Sequence, residues 1–200
     1  MAVPKKIFTL WLGPAMPKQQ ADWIQTQRIP GYTHKVISLE NCILEHKYIR
    51  QCLGSVYGVK KWVKMADYLR VWYLYTEGGI YLDSDVEILP GRNFDGLLGD
   101  RIFMARENNG FLGTAVIGAE AGHPFFSQVL RKMTENFRGD DDLVFQSGME
   151  TLSCGHRDGF NIDGFKVYES TRFFPYDHQE NTVNITPETV TYHHFTKSWL

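Results

Sequence analysis

The sequence predicts an α/β layer built around a mainly parallel sheet, on three observations. Short apolar runs alternate with longer amphipathic stretches along the 200 residues, the pattern of strands joined by crossover helices. No internal repeat, low-complexity tract or Pro/Ser-rich linker interrupts that alternation. A hydrophobic content of 43% can supply one sizeable core, so residues 1–200 read as a single domain.

The elements follow in order. Ile7-Phe8-Thr9-Leu10 reads as a first buried strand, followed by a helix and a second strand through His34–Leu39. Helical segments are expected near Cys42–Cys52, then a long helix over Lys60–Glu77. In that helix Trp62, Ala66, Leu69 and Tyr73 recur at three- and four-residue spacing, which gives one apolar stripe. Lys60, Lys61 and Lys64 read as its solvated face. Asp67 and Arg70 stand three apart on a different face, where side chains are neighbours. Gly78-Gly79 ends the helix and a short apolar strand follows. A Gly-rich loop spans Gly91–Asp100, Ala115–Ala119 reads as another strand, and His123-Pro124 opens the next helix with proline in its first turn. His123 therefore reads as structural.

The strand after Gly79 ends in Asp83-Ser84-Asp85. Residues two apart on a strand share a side, so both carboxylates are expected to face one ligand. Carboxylates that close repel unless a cation or a shared proton lies between them. Hard divalent ions such as Mg²⁺ and Mn²⁺ prefer oxygen ligands and leave positions open for phosphates. Taken with that pair, Asp67 and Arg70 read as binding a sugar hydroxyl and a phosphate; alone they would read as a surface ion pair worth little.

Composition narrows the classes. A net charge of −2 with no basic run argues against nucleic acid. No apolar run has the length of a membrane span, and no signal peptide precedes the first strand. Cys42, Cys52 and Cys154 are odd in number and lack C-x-x-C spacing, which indicates neither a disulfide framework nor a zinc site and favours a reducing cytoplasm. The run Asp140-Asp141-Asp142 reads as a solvated acidic loop.

The combined pattern A-D-x-x-R then G-G-x-Y-x-D-x-D is formed by Ala66, Asp67, Arg70, Gly78, Gly79, Tyr81, Asp83 and Asp85. It resembles the DXD-containing sugar-binding region of glycosyltransferase family 32, the Och1-like and capsular-polysaccharide transferases, and more distantly the glucosylating clostridial toxins. Trp11, Gly13 and Pro17 are similar to that family's opening motif, although Phe8 or Thr9 stands where a His is common. The ending His193-His194-Phe195-Thr196-Lys197-Ser198-Trp199 is similar to its terminal H-H-x-x-x-S-W. Later, Met149 follows Gly148 where relatives carry proline on the acceptor side.

This resemblance implies a GT-A nucleotide-diphospho-sugar transferase fold and a metal-dependent, retaining hexosyl transfer. It implies a nucleotide-sugar donor, a UDP-sugar first and GDP-mannose second. The acceptor implied is a saccharide or glycolipid, such as a growing capsular, O-antigen or other lipid-linked glycan, which would place the chain in the cytoplasm at the inner face of the membrane. Mn²⁺ or Mg²⁺ would be held by Asp85 and Asp83 with one of His193 or His194, His194 being preferred. Trp11 would stack on the nucleotide base, Asp67 and Arg70 would orient the sugar, and Tyr81 or Asp83 would touch ribose or phosphate. Ser198 and Trp199 would close over the diphosphate. Two other classes fit a D-x-D pair: a phosphohydrolase of the HAD type with Asp83 as nucleophile, and a nucleotide-sugar-binding module without turnover. Glu87 stands where the phosphohydrolase pattern wants Thr or Val.

Overall fold

A computed structural model of the protein describes residues 3–56, 58–137 and 162–196. In chain order the elements are β1 Lys6–Leu10, α1 Lys18–Thr26, β2 Thr33–Ile37, α2 Lys47–Ser55, α3 Gly58–Glu77, β3 Gly79–Leu82, β4 Val86–Ile88, β5 Ile102–Ala105, β6 Val116–Ala119, α4 Pro124–Asn136, β7 Phe165–Tyr168, β8 Tyr176–Asp177, β9 Thr182–Val183 and β10 Thr191–His193. Six strands form one sheet in the order β2-β1-β3-β6-β5-β7. β1 runs parallel to β2 and β3, β7 runs parallel to β5, and β6 runs against both of its neighbours. The sheet is thus mainly parallel, with one reversed strand at its centre.

The strands of this sheet read as apolar runs because both faces are covered. Phe8, Leu10, Tyr81, Met104 and Ile117 pack on one side with Met65, Leu69 and Leu74 of α3 and Phe125, Phe126 and Val129 of α4. Ile7, Ile80, Leu82, Phe103 and Val116 pack on the other with Val86 and Ile88 of β4 and with Phe94, Phe173 and Phe174. α4 starts as expected: His123 accepts from the Phe125 N–H at 3.2 Å, and Pro124 occupies the first turn.

α3 departs from the amphipathic helix expected. From Lys64 to Arg70 only Ala66 is not fully buried, and the burial continues through Leu74 apart from Trp72. The helix runs through the protein rather than along its surface. Lys64 is 1% exposed, not solvated; its ammonium lies 5.7 Å over the Phe137 ring and its charge acts on Asp67. The segment around Cys42 forms turns, and the helix there begins at Lys47.

Gly78 and Gly79 join α3 to β3 with φ of 65° and 115°. A Cβ on Gly79 would lie 2.7 Å from the Lys6 carbonyl oxygen, and one on Gly78 would lie 2.7 Å from the Ala121 nitrogen. The glycine pair is therefore needed both for its backbone conformation and for close approach to β1 and to the end of β6. Gly79→Ala is expected to destabilise the protein by roughly 2 kcal/mol or more, against about 0.5 kcal/mol or less for Gly99→Ala, where a Cβ meets nothing within 4 Å. Urea denaturation of the two variants checks this.

Candidate active site

The two carboxylates of the D-x-D motif do not sit on the strand. β3 ends at Leu82, and Asp83 to Val86 form a tight turn closed by the Val86 N–H donating to the Asp83 carbonyl at 3.1 Å. They approach one another because the chain reverses, not because strand side chains alternate. The turn lies beyond the carboxyl end of β3, where open α/β sheets bind ligands. Trp11 follows β1, the parallel neighbour of β3, at the same sheet edge; it is half-buried and its Nε1 donates to the Pro14 carbonyl at 2.6 Å.

After the turn β4 pairs antiparallel with β10, and the register sets His193 opposite Val86. His193 Nε2 then lies 3.2 Å from Asp85 Oδ1. One ligand atom each from Asp83, Asp85 and His193 falls within a 4.8 Å spread. His194, the histidine preferred from the sequence, faces elsewhere. Its Nε2 is 3.0 Å from Glu87 Oε2 and its ring stacks on Trp23 with centroids 4.0 Å apart. Neighbouring residues of a strand point to opposite sides, so only one of the pair can join the carboxylates.

Each carboxylate is fixed by other groups. The other oxygen of Asp85, Oδ2, accepts from the Thr196 N–H and hydroxyl, both at 2.9 Å. Phe195, with φ of 50°, makes the kink that brings Thr196 back to this position. Burial pushes the Asp85 pKa up, yet the His193 and Thr196 contacts outweigh it and hold the group at about 2. Asp83 Oδ1 accepts from the Tyr81 hydroxyl and lies 3.5 Å from Arg70 Nη1. Tyr81 is 2% exposed and its hydroxyl is directed at Asp83.

Asp67 and Arg70 are buried too, which removes the surface ion-pair reading. Arg70 Nη2 stands 2.8 Å from Asp67 Oδ1, Nη1 donates to the Thr114 carbonyl at 3.0 Å, and the guanidinium lies 4.8 Å over the Tyr81 ring. Burial works against the Arg70 charge, and Tyr81, Asp83, Asp67 and Asp85 more than restore it. Asp67 faces Arg70 rather than solvent, and neither of its oxygens accepts a hydrogen bond of good geometry among the described residues. Burial, opposed by Arg70 and reinforced by Asp83, raises its pKa to about 6. Ser198, Trp199, Met149, Cys154 and the Asp140-Asp141-Asp142 run lie outside the described residues.

The cluster is thus an acidic, largely buried group with one imidazole, open to a cation that accepts both oxygen and nitrogen. Residues 17–101 match the family described as the glycosyltransferase sugar-binding region containing DXD motif. The chain is similar to that region over a little under half of its length. It is 28% identical over 143 residues to inositol phosphoceramide mannosyltransferase 3 of Schizosaccharomyces pombe, covering 66% of this chain and 37% of the fungal protein. The chain therefore spans little more than a third of that relative's length. Two solved structures share the fold. The PaToxG glycosyltransferase superposes with a TM-score of 0.60 at 19% identity, covering 78% of this chain and 70% of that one. A glycosyltransferase involved in glycosylation of the major capsid of PBCV-1 superposes with a TM-score of 0.58 at 12% identity, covering 96% and 93%. The fold is GT-A, as expected.

Residue types and spacing did not reveal Thr196 or Gln27 as neighbours of this turn. Gln27 is fully buried beneath the turn and donates to the carbonyls of Asp83 and Val86. Strand alternation alone could have shown that only one of His193 and His194 joins Asp85; choosing between them needed the β4–β10 register. A raised pKa means that the folded protein binds the Asp67 proton more tightly than the unfolded chain does, so this stability is full below the ordinary value of 3.8 and is lost as pH rises through about 6. Asp67→Asn is therefore expected to melt above the wild type at pH 8, with the gain shrinking below pH 6; thermal melts across that range check the sign.

Proposed function

We propose that the chain is a metal-dependent, retaining glycosyltransferase that moves a sugar from a nucleoside diphosphate sugar to a saccharide or glycolipid. The observation that carries this reading is the convergence of Asp83, Asp85 and His193 at the ligand-binding edge of a GT-A sheet. The donor set fits a divalent ion: two carboxylates suit Mg²⁺ or Mn²⁺, and the imidazole nitrogen favours Mn²⁺, since Mg²⁺ prefers oxygen. Asp83, Asp85 and His193 would hold it. When bound, such an ion neutralises, as a Lewis acid, the charge that builds on the leaving diphosphate.

The remaining roles belong to the chain itself. Arg70, kept charged by its acidic neighbours, orients the donor beside Asp83. Asp67 Oδ1 faces Arg70, Oδ2 has no hydrogen-bond partner among the described residues, and a sugar hydroxyl would relieve that burial cost. Trp11 stacks on the base, and Ser198 and Trp199 cover the diphosphate. Tyr81 acts through Asp83. The reading assigns no protein general base, and residues 1–200 act as one catalytic domain.

UDP-sugars are the first donor class. The mannosyl activity in the fungal relative's name supports GDP-mannose as the second, and its inositol phosphoceramide supports a glycolipid acceptor. Such an acceptor would draw the protein to a membrane surface from the cytoplasmic side; no described helix is long and apolar enough to cross one. A GT-A fold leaves no support for a HAD-type phosphohydrolase with Asp83 as nucleophile. Donor hydrolysis with Mn²⁺ separates a transferase from a binding module without turnover.

Calorimetric titration of UDP and GDP with Mn²⁺ or with EDTA tests the reading. One nucleotide is expected to bind only with metal, and Asp85→Asn to weaken that binding on the order of 100-fold. His193→Ala is expected to weaken it as well, whereas His194→Ala leaves it near the wild-type value. Equal binding in EDTA would contradict the metal role, and loss in His194→Ala alone would return the ligand role to His194.

A further inference from the structure

Gln27 follows the last residue of α1 and points inward, with no exposed surface. Its Nε2 donates to the carbonyl of Asp83 at 3.0 Å and to the carbonyl of Val86 at 2.8 Å, the two ends of the carboxylate-bearing turn. Its Oε1 accepts from the Thr9 hydroxyl on β1 and lies 3.3 Å from Nε2 of His34 on β2. Main-chain carbonyls only accept, so the NH₂ end must face the turn and the oxygen must face Thr9 and His34. Burial and then Arg28 lower the His34 pKa to about 4, so at neutral pH the ring is uncharged and meets the amide oxygen with a proton on Nε2. Both N–H groups and both lone pairs of the amide are then used.

This arrangement ties the turn to two strands of the sheet through one side chain. Asp83 and Asp85 repel one another when no cation lies between them, and the turn's own 3.1 Å hydrogen bond, with the Asp83 N–H to the Ala115 carbonyl and the His194 N–H to the Asp85 carbonyl, would have to resist their separation without a side chain behind the turn. Holding the carbonyls at both ends from behind opposes that relaxation and keeps the ligands spaced before an ion arrives. Groups that orient metal ligands in this way contribute strongly to affinity.

We infer that Gln27 is a positioning residue for the divalent-cation site, setting the spacing of Asp83 and Asp85 by clamping the main chain of their turn. The inference rests on the metal-binding reading of Asp83, Asp85 and His193.

The test is Gln27→Met in the full chain, which keeps the length and apolar stem and removes the clamp. Mn²⁺ affinity is read from the electron paramagnetic resonance signal of free Mn²⁺, and amide exchange of Val86 is read in metal-free protein. Mn²⁺ binding is expected to weaken about tenfold or more, and the Val86 amide to exchange faster while the amides of α3 keep their protection. Nucleotide binding is expected to return once Mn²⁺ is saturating, a rescue that general loss of structure would not show. A folded Gln27→Met variant with wild-type Mn²⁺ affinity overturns the inference. Should Gln27→Met not fold, Thr9→Val combined with His34→Phe removes both donors to the amide oxygen; weaker Mn²⁺ binding there supports the clamp, and wild-type affinity overturns it. A wild-type protein that binds no Mn²⁺ overturns the metal reading itself, and is distinguishable because it fails before any variant is compared.

Discussion

Keeping Asp83 and Asp85 close together inside the protein is the constraint around which the rest of this structure is arranged. Two carboxylates at either end of one turn raise each other's energy, and burial raises it further. The protein answers with donors on every side: Tyr81 and Arg70 at Asp83, Thr196 and His193 at Asp85, and Gln27 at the backbone. His193 and Thr196 together are enough to reverse the influence of burial on Asp85 and hold it ionised. At Asp67 the balance falls the other way, with burial outweighing Arg70. The same acidic pocket therefore contains one carboxylate committed to its charge and one near the point of losing it.

The supporting groups come from distant parts of the chain. Gln27 follows α1, Asp67 and Arg70 lie on α3, Thr114 precedes β6, and His193 and Thr196 belong to the last described segment. The sheet brings them together because β1 and β3 are parallel neighbours and β4 leaves the sheet to pair with β10. α3 must pass close to the sheet to deliver Arg70, which explains why it is buried from Lys64 to Leu74 apart from Ala66 and Trp72 and why two glycines are needed where it turns into β3. Stability is given up at the pocket, in the unsatisfied oxygens of Asp67, and supplied by the aromatic packing on the two sheet faces. Strain and unsatisfied polar groups of this kind collect where a ligand is to be bound.

Much of this was legible in residue order. The alternation of apolar runs identified the α/β class, and the combined Asp67, Arg70, Gly78, Gly79, Asp83 and Asp85 pattern singled out residues that the fold brings close together. Periodicity misled at α3, because an apolar stripe reports only that one side is buried; it cannot show that Lys64 is enclosed as well. Spacing misled at the D-x-D motif, because a turn and a strand can both bring residues two apart together. The choice between His193 and His194 depended on strand register, a property of two segments paired in space. Gln27 carried no signal, since a glutamine near a helix end usually faces water, and this one is buried only by its contacts with β1, β2 and the turn.

Asp83, Asp85 and His193 are proposed to hold one divalent ion. Diffraction from crystals grown with Mn²⁺ and a nucleoside diphosphate, with anomalous data at the manganese edge, tests it most directly. The account predicts one anomalous peak bounded by those three side chains, beside the diphosphate, with Gln27 still holding the carbonyls of Asp83 and Val86. A peak elsewhere, or one ligated by His194 in place of His193, would contradict it.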